Sequence, residues 1–218
     1  ALTFISRSQN NSETNDQEFA GNDGGFAYMP GYSPHGEAVS YGGMTSAGLL
    51  SLLFAGVDKN DPRVQAAYDW IRANYTLDAN PGAKDNAGLF YYYNAFAKAM
   101  AAYGGAEVTD TGGKAHNWRN DLAGKLVSLQ DKDGSWVNPD SKRWWEGDRN
   151  LVTAWSVISL NLALMVRDRE SGLHRFARIK VPPLLPRFLP CGGPGELIPV
   201  EQVIAAHAPT LFPGADVL

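Results

Sequence analysis

Apolar positions recur at helical spacing in six segments that come in pairs. Each pair is joined by a polar stretch rich in Asp, Asn and Gly. In the first pair Leu2, Phe4 and Ile5 form a short apolar face ahead of Arg7-Ser8-Gln9-Asn10, and a loop containing Asp23-Gly24-Gly25-Phe26 follows. The second member, 43–56, sets Met44, Ala47, Leu50, Leu53 and Phe54 on its predicted core face. The second pair opens on Asp61-Pro62, an N-cap acid before a proline at the first helical position. Its first helix carries Val64, Ala67, Tyr68, Ile71 and Tyr75 up to a stop at Asn80-Pro81-Gly82, and its second runs over 88–103 to Gly104-Gly105. The third pair starts near Asn117 with Trp118, Leu122, Leu126 and Leu129, breaks at 131–136, and resumes over 151–166. From Gln9 to Gln130 is 121 residues and two units, so the repeat is about 60 residues, the size of a helical hairpin with a long loop.

In each pair the second helix is the more apolar and carries small residues on several faces: Ala47 and Gly48; Ala95, Ala97 and Ala99; Ala154, Ser156 and Ser159. A helix apolar nearly all round is surrounded by protein. The second helices are therefore expected to form an inner layer and the amphipathic first helices an outer one. No segment is read as a period-two strand. The predicted fold is all-α: an α/α toroid, or a partial barrel of three hairpins, over residues 1–166. Eight of the thirteen prolines fall between Pro182 and Pro213, so the tail, 167–218, is expected to be irregular, with one short helix at 200–207. It reads as extended chain wrapping the domain, as disorder, or as an extension foreign to what precedes it. A ring of this kind takes about five to seven hairpins, and arrays need covered ends. Three hairpins are therefore expected to be marginal, dimeric, or covered by the tail.

A formal net charge of −4 argues against a nucleic-acid partner. One cysteine, Cys191, permits no intrachain disulfide. The longest apolar run, 151–166, is interrupted by Thr153, Ser156, Ser159 and Asn161, and is too short for a membrane span. The chain opens inside a helix already under way, without Met or a basic leader, and reads as a piece of a longer protein. Its compartment, periplasmic, secreted or cytoplasmic in a bacterium, stays open.

Gln130, followed by Asp133-Gly134-Ser135-Trp136, resembles the Gln-Trp repeat of squalene and oxidosqualene cyclases. The Asp23–Phe26 loop after Gln9 is similar to a degenerate copy with Phe for Trp, and Leu151–Trp155 resembles the family's inner helices. The resemblance covers about residues 1–166 and is nearest to bacterial prenyltransferase-and-squalene-oxidase repeat proteins. Gln130, Gly134 and Trp136 are structural in it: helix end, tight turn and interlayer cap. The resemblance implies a terpenoid cyclase-like repeat protein with an isoprenoid or other apolar ligand, and an inner-helix end lined by Tyr41, Tyr91, Tyr92, Tyr93, Trp144, Trp145 and Trp155. Class II cyclases use an Asp-x-Asp-Asp acid, which this chain lacks; Asp148 and Glu146, beside Trp144-Trp145, are the nearest acids. Each has a plain structural alternative, Asp148 as an N-cap and the tryptophans as packing. The other function weighed is a non-catalytic repeat module holding an apolar, glycan or protein ligand on the aromatic face, so enzyme or not stays open. No cofactor is expected: His35, His116, His174 and His207 show no ligand spacing for zinc. Lys142, Arg143 and Arg149 give thin support to a polysaccharide-lyase cleft. The chain is read either as a homodimer or as lacking N-terminal repeats.

Overall fold

The computed structural model describes residues 1–164 in full and, after them, the backbone of four three-residue strands at 165–167, 174–176, 188–190 and 197–199. The expected short helix at 200–207 lies outside the described residues, as does the question whether the tail wraps the domain. Six α-helices are described: α1 (Leu2–Ser8), α2 (Gly42–Phe54), α3 (Pro62–Ala73), α4 (Leu89–Tyr103), α5 (Trp118–Ser128) and α6 (Arg149–Leu164). Two strands, β1 (Glu107–Thr109) and β2 (Ala115–Asn117), pair antiparallel between α4 and α5. Beyond α6, β3 (Met165–Arg167) pairs antiparallel with β4 (His174–Phe176), and β5 (Phe188–Pro190) with β6 (Leu197–Pro199).

α4 lies between α2 and α6, and these three form one row; α1 and α3 pack on α2, and α5 packs on α6. The chain is thus helix-rich; its helices follow one another in sequence as three pairs (hairpins), α1–α2, α3–α4 and α5–α6, with α3 packed on α2 rather than on α4. Local chemistry sets the helix starts. Asp61 caps α3 by accepting the Arg63 N–H, with Pro62 in the first turn, and Asn117 caps α5 by accepting the Asn120 N–H. The core runs through all three hairpins, from Phe26, Leu49 and Leu52 through Trp70, Tyr93, Phe96 and Met100 to Trp118, Leu126, Trp136 and Val152.

The first and third hairpins share a set of loop-to-helix bonds. Gly24 and Gly134 both take φ near +84° (83° and 84°), a turn open to glycine at no steric cost. Two residues on, Phe26 and Trp136 enter the core, 2% and 1% exposed. The Phe26 N–H donates to Thr45 Oγ1 (3.0 Å) and the Trp136 N–H to Thr153 Oγ1 (3.1 Å), each threonine sitting in the first turns of its inner helix. Asp23 and Asp133 brace the two turns by accepting the N–H groups of Gly25 and Ser135. Gln9 Nε2 donates to the Gly24 carbonyl and across to the Arg63 carbonyl of the next hairpin, while Gln130 Nε2 donates to the Gly134 carbonyl. The loop of the middle hairpin carries a buried Leu77 and is held by the Tyr92 and Tyr93 hydroxyls, which donate to the Thr76 and Leu77 carbonyls.

Three expectations need correction. The core face of α2 is not Met44, Ala47, Leu50, Leu53 and Phe54: Leu49 and Leu52 are fully buried and Phe54 is 78% exposed. Gly48 turns the helix, since a Cβ there would stand 2.5 Å from Phe26 Cγ, so the bare glycine face takes the aromatic. α3 ends at Ala73 with Asn74 as its C-cap, seven residues before the proline expected to stop it. Strands were not expected at all. Yet Ile158, Leu160, Leu162 and Leu164 alternate with Ser159, Asn161 and Ala163, and the chain leaves α6 at Leu164 to enter β3. The α6 packing surface holds this alternating stretch helical as far as Leu164, where tertiary contact overrides local preference. Gly48→Ala should lower unfolding stability by about 1–3 kcal/mol in urea titration, because the added methyl overpacks Phe26.

Candidate functional site

The residues singled out at the inner-helix N-termini do lie near that end of the row, in different circumstances. Tyr41 is buried with its ring edge against His35 (4.6 Å). Tyr91 meets Trp155 edge to face at 5.8 Å, joining α4 to α6. Tyr92 and Tyr93 are buried, with their hydroxyls committed to loop carbonyls. Burial pushes the phenols of Tyr41, Tyr91, Tyr92 and Tyr93 above the ordinary tyrosine range. Trp144 and Trp145 are instead 46% and 79% exposed, and both take positive φ (59° and 63°). Such a conformation costs a non-glycine residue roughly 1–2 kcal/mol.

That left-handed turn aims the next side chain inward. Glu146 is fully buried; its Oε2 accepts the Leu89 N–H and Asn138 Nδ2, and its Oε1 accepts the Tyr91 N–H. It thus caps the N-terminus of α4 from the following hairpin. Asn80 does the same for α2, its Oδ1 accepting the Gly43 N–H while its Nδ2 donates to the Ala87 carbonyl. Burial raises the Glu146 carboxyl above its usual range, against the pull of Asn138 and the amides of Tyr91, Phe90 and Leu89. Asp148, by contrast, is exposed and caps its own helix, α6, through the N–H groups of Asn150 and Leu151. Gln130, Gly134 and Trp136 tie α5 to its loop, with Trp136 Nε1 donating to the Leu126 carbonyl at 2.7 Å. Arg149 is paired with Asp131 on the surface, and Arg143 lies over the Trp144 ring.

A second constellation was not anticipated. An open cleft of about 440 Å³ is lined by Tyr75, Leu77, Asp78, His116, Asp121 and Lys125, among others. Tyr75 Oη donates to Asp121 Oδ2 at 2.9 Å, and His116 Nδ1 stands 3.7 Å from the same oxygen. His116 Nε2 pairs with Asp110 Oδ2 at 2.9 Å, and the His116 ring lies against Tyr75 at 4.2 Å. Asp110 is held in place by the Gly112 and Lys114 N–H groups, and the bond to His116 lowers its carboxyl from the usual value. Two hydrogen-bonded pairs, Asp110 with His116 and Tyr75 with Asp121, thus stand side by side, with 3.7 Å between His116 Nδ1 and Asp121 Oδ2, beyond hydrogen-bond reach. Its sequence signal was the Asp110-x-Gly112-Gly113 turn, which folds β2 back on β1 and brings His116 beside Asp110. Among the described residues no group of His, Cys, Asp and Glu could hold a metal ion, and no helix is long and apolar enough to cross a membrane.

Two stability measurements separate the acids. Glu146→Ala, which strands two buried amides, should cost about 2–4 kcal/mol; Asp148→Ala should cost about 1 kcal/mol, the worth of an exposed cap. A carboxyl raised in the folded state adds stability below its unfolded value and loses it as pH rises through the folded one. Wild type should therefore lose stability relative to Glu146→Gln as pH rises above the ordinary glutamate range, read by urea unfolding at a series of pH values.

Comparison with known proteins locates a relationship at the other end of the chain. The family model of the polyphosphate kinase middle domain matches residues 152–218. Similar relatives include the polyphosphate kinases of Streptomyces coelicolor (59% identical over 63 residues, 29% of this chain and 8% of the relative), of Mycobacterium marinum (42% over 73 residues, 29% and 10%), and of Thermosynechococcus vestitus (43% over 70 residues, 28% and 10%). The match thus spans a tenth or less of these relatives' length. No solved structure matches the chain. These findings overturn the expected kinship with squalene cyclases and prenyltransferase repeats, and with it the terpenoid-cyclase and ligand-module functions. The residues that carried that resemblance, Gln130, Gly134 and Trp136, close a helix end and a turn, a task that carries no chemistry of its own. The similarity that is found enters the chain inside α6 and runs through β3 to β6 to residue 218.

Proposed function

We propose that this chain works as part of a polyphosphate kinase-type protein, with residues 152–218 contributing to the handling of polyphosphate. The observation that carries the reading is the family match over those residues, supported by the 59% identity to the Streptomyces coelicolor enzyme. Charge distribution agrees with a polyanionic substrate. Residues 1–166 hold 13 Lys and Arg against 18 Asp and Glu, whereas 167–187 hold six basic residues (Arg167, Arg169, Arg175, Arg178, Lys180 and Arg187) against Asp168 and Glu170. Guanidinium groups engage phosphoryl oxygens in bidentate pairs, and a run of them suits a linear phosphate polymer. We read the helical row of residues 1–164 as an arc of an α/α toroid to which this segment is joined through α6. The repeated glycine–aromatic–threonine register of the first and third hairpins supports that reading.

Binding of long-chain polyphosphate to the full chain, followed by gel retardation, should be measurable and should weaken with added salt. Replacing Arg175, Arg178 and Lys180 together by Gln should reduce affinity about tenfold or more. Binding that ignores both salt and these replacements would sink the reading.

A further inference from the structure

The three inner helices are not equally covered. Aligning Thr45 of α2 with Thr153 of α6, the two that receive the aromatic N–H, sets the helices in register. On α2, the stripe Gly43, Ser46, Leu50 and Leu53 is covered: a Cβ on Gly43 would stand 3.3 Å from Tyr91 of α4, Ser46 is fully buried, and Leu50 and Leu53 pack against the core. The corresponding stripe on α6 is Leu151, Ala154, Ile158 and Asn161. There Ala154 and Asn161 are exposed and Ile158 is 42% exposed, with Val157 beside it at 37%. The opposite faces are reversed. On α6, Val152, Trp155, Ser159 and Leu162 turn to α4, with Val152 and Ser159 fully buried and Trp155 against Tyr91. Their counterparts on α2 are Met44, Ala47, Ser51 and Phe54, of which Ser51 is exposed and Phe54 is 78% exposed.

The open face of α6 is therefore the one that α2 buries on a neighbour, and the open face of α2 is the one that α6 buries on a neighbour. The Gln9 amide reaches the next hairpin's Arg63 carbonyl, whereas among the described residues Gln130 bonds only within its own hairpin. We propose that a second copy of this chain docks head to tail, setting its Met44–Phe54 face on the Leu151–Asn161 face of the first. The contact repeats the α2–α4 and α4–α6 packing already present within one chain. It is heterologous, so each copy offers one donor face and one acceptor face, and two copies can close on each other.

The test is sedimentation of the full chain over a range of concentrations. Wild type should self-associate. Ile158→Arg and Phe54→Arg, both at exposed positions, should each weaken association about tenfold or more while leaving the far-UV circular dichroism unchanged. An equimolar mixture of the two variants should associate again, because one wild-type face of each kind survives. A wild-type monomer at every concentration overturns the proposal, including the case in which the chain's own tail shields Ile158 from hydrogen exchange. So does either variant associating as wild type does, or a mixture of the two that stays monomeric where wild type associates.

Discussion

The layered structure depends on side chains that reach back from one hairpin to hold the backbone of the one before. The first N–H groups of an α-helix have no partner within it, and when that end is buried something else must accept from them. Asn80 answers for α2, and Glu146, with Asn138 beside it, answers for α4. Each of these acceptors belongs to the following hairpin, so the first two hairpins are not complete by themselves, whereas α6 is capped by its own Asp148. The need to satisfy buried amides fixes how far one hairpin is displaced from the next, and the packing of Tyr91 on Trp155 follows from that displacement.

The same requirement explains the backbone near Trp144 and Trp145. Glu146 reaches α4 because the two preceding residues turn left-handed. A matching turn at Asp85 and Asn86 precedes α4, and Asn86 Oδ1 receives the Asn80 N–H. Strain at these points is tolerated where the caps over-determine it. The exposed tryptophans are thus the cost of placing a buried carboxylate.

Much of the fold was legible in the chain. Helical spacing, the Asp61-Pro62 start and the Gly104-Gly105 stop marked the elements, and Trp118, Leu122 and Leu126 were correctly placed in the core. The face of α2 was misread because Gly48 has no hydrophobic weight in a periodicity argument, though it determines which side receives Phe26. Glu146 was noticed for its acidity and its tryptophan neighbours, whereas its contacts to Leu89 and Tyr91 cross more than fifty residues and leave no local mark. The Asp110–His116–Asp121 cluster was missed for a similar reason, since its members come from a turn, a strand and a helix. The polyphosphate kinase similarity begins inside α6 and continues through the proline-rich stretch, where no periodic pattern invites attention.

The hydrogen bonds that join loop to helix at Gln9, Gln130, Asn80 and Glu146 each pair a side chain with a main-chain group. A backbone carbonyl or amide is offered by nearly every residue type, so the positions supplying it are free to vary while the bond persists. Only the reaching side chain, the turn glycine and the receiving threonine must be kept. A unit held this way can lose most of its visible sequence repetition and still stack on its neighbour, as the middle hairpin does with a buried Leu77 in its loop. Divergence of the repeats is therefore built into how they are fastened.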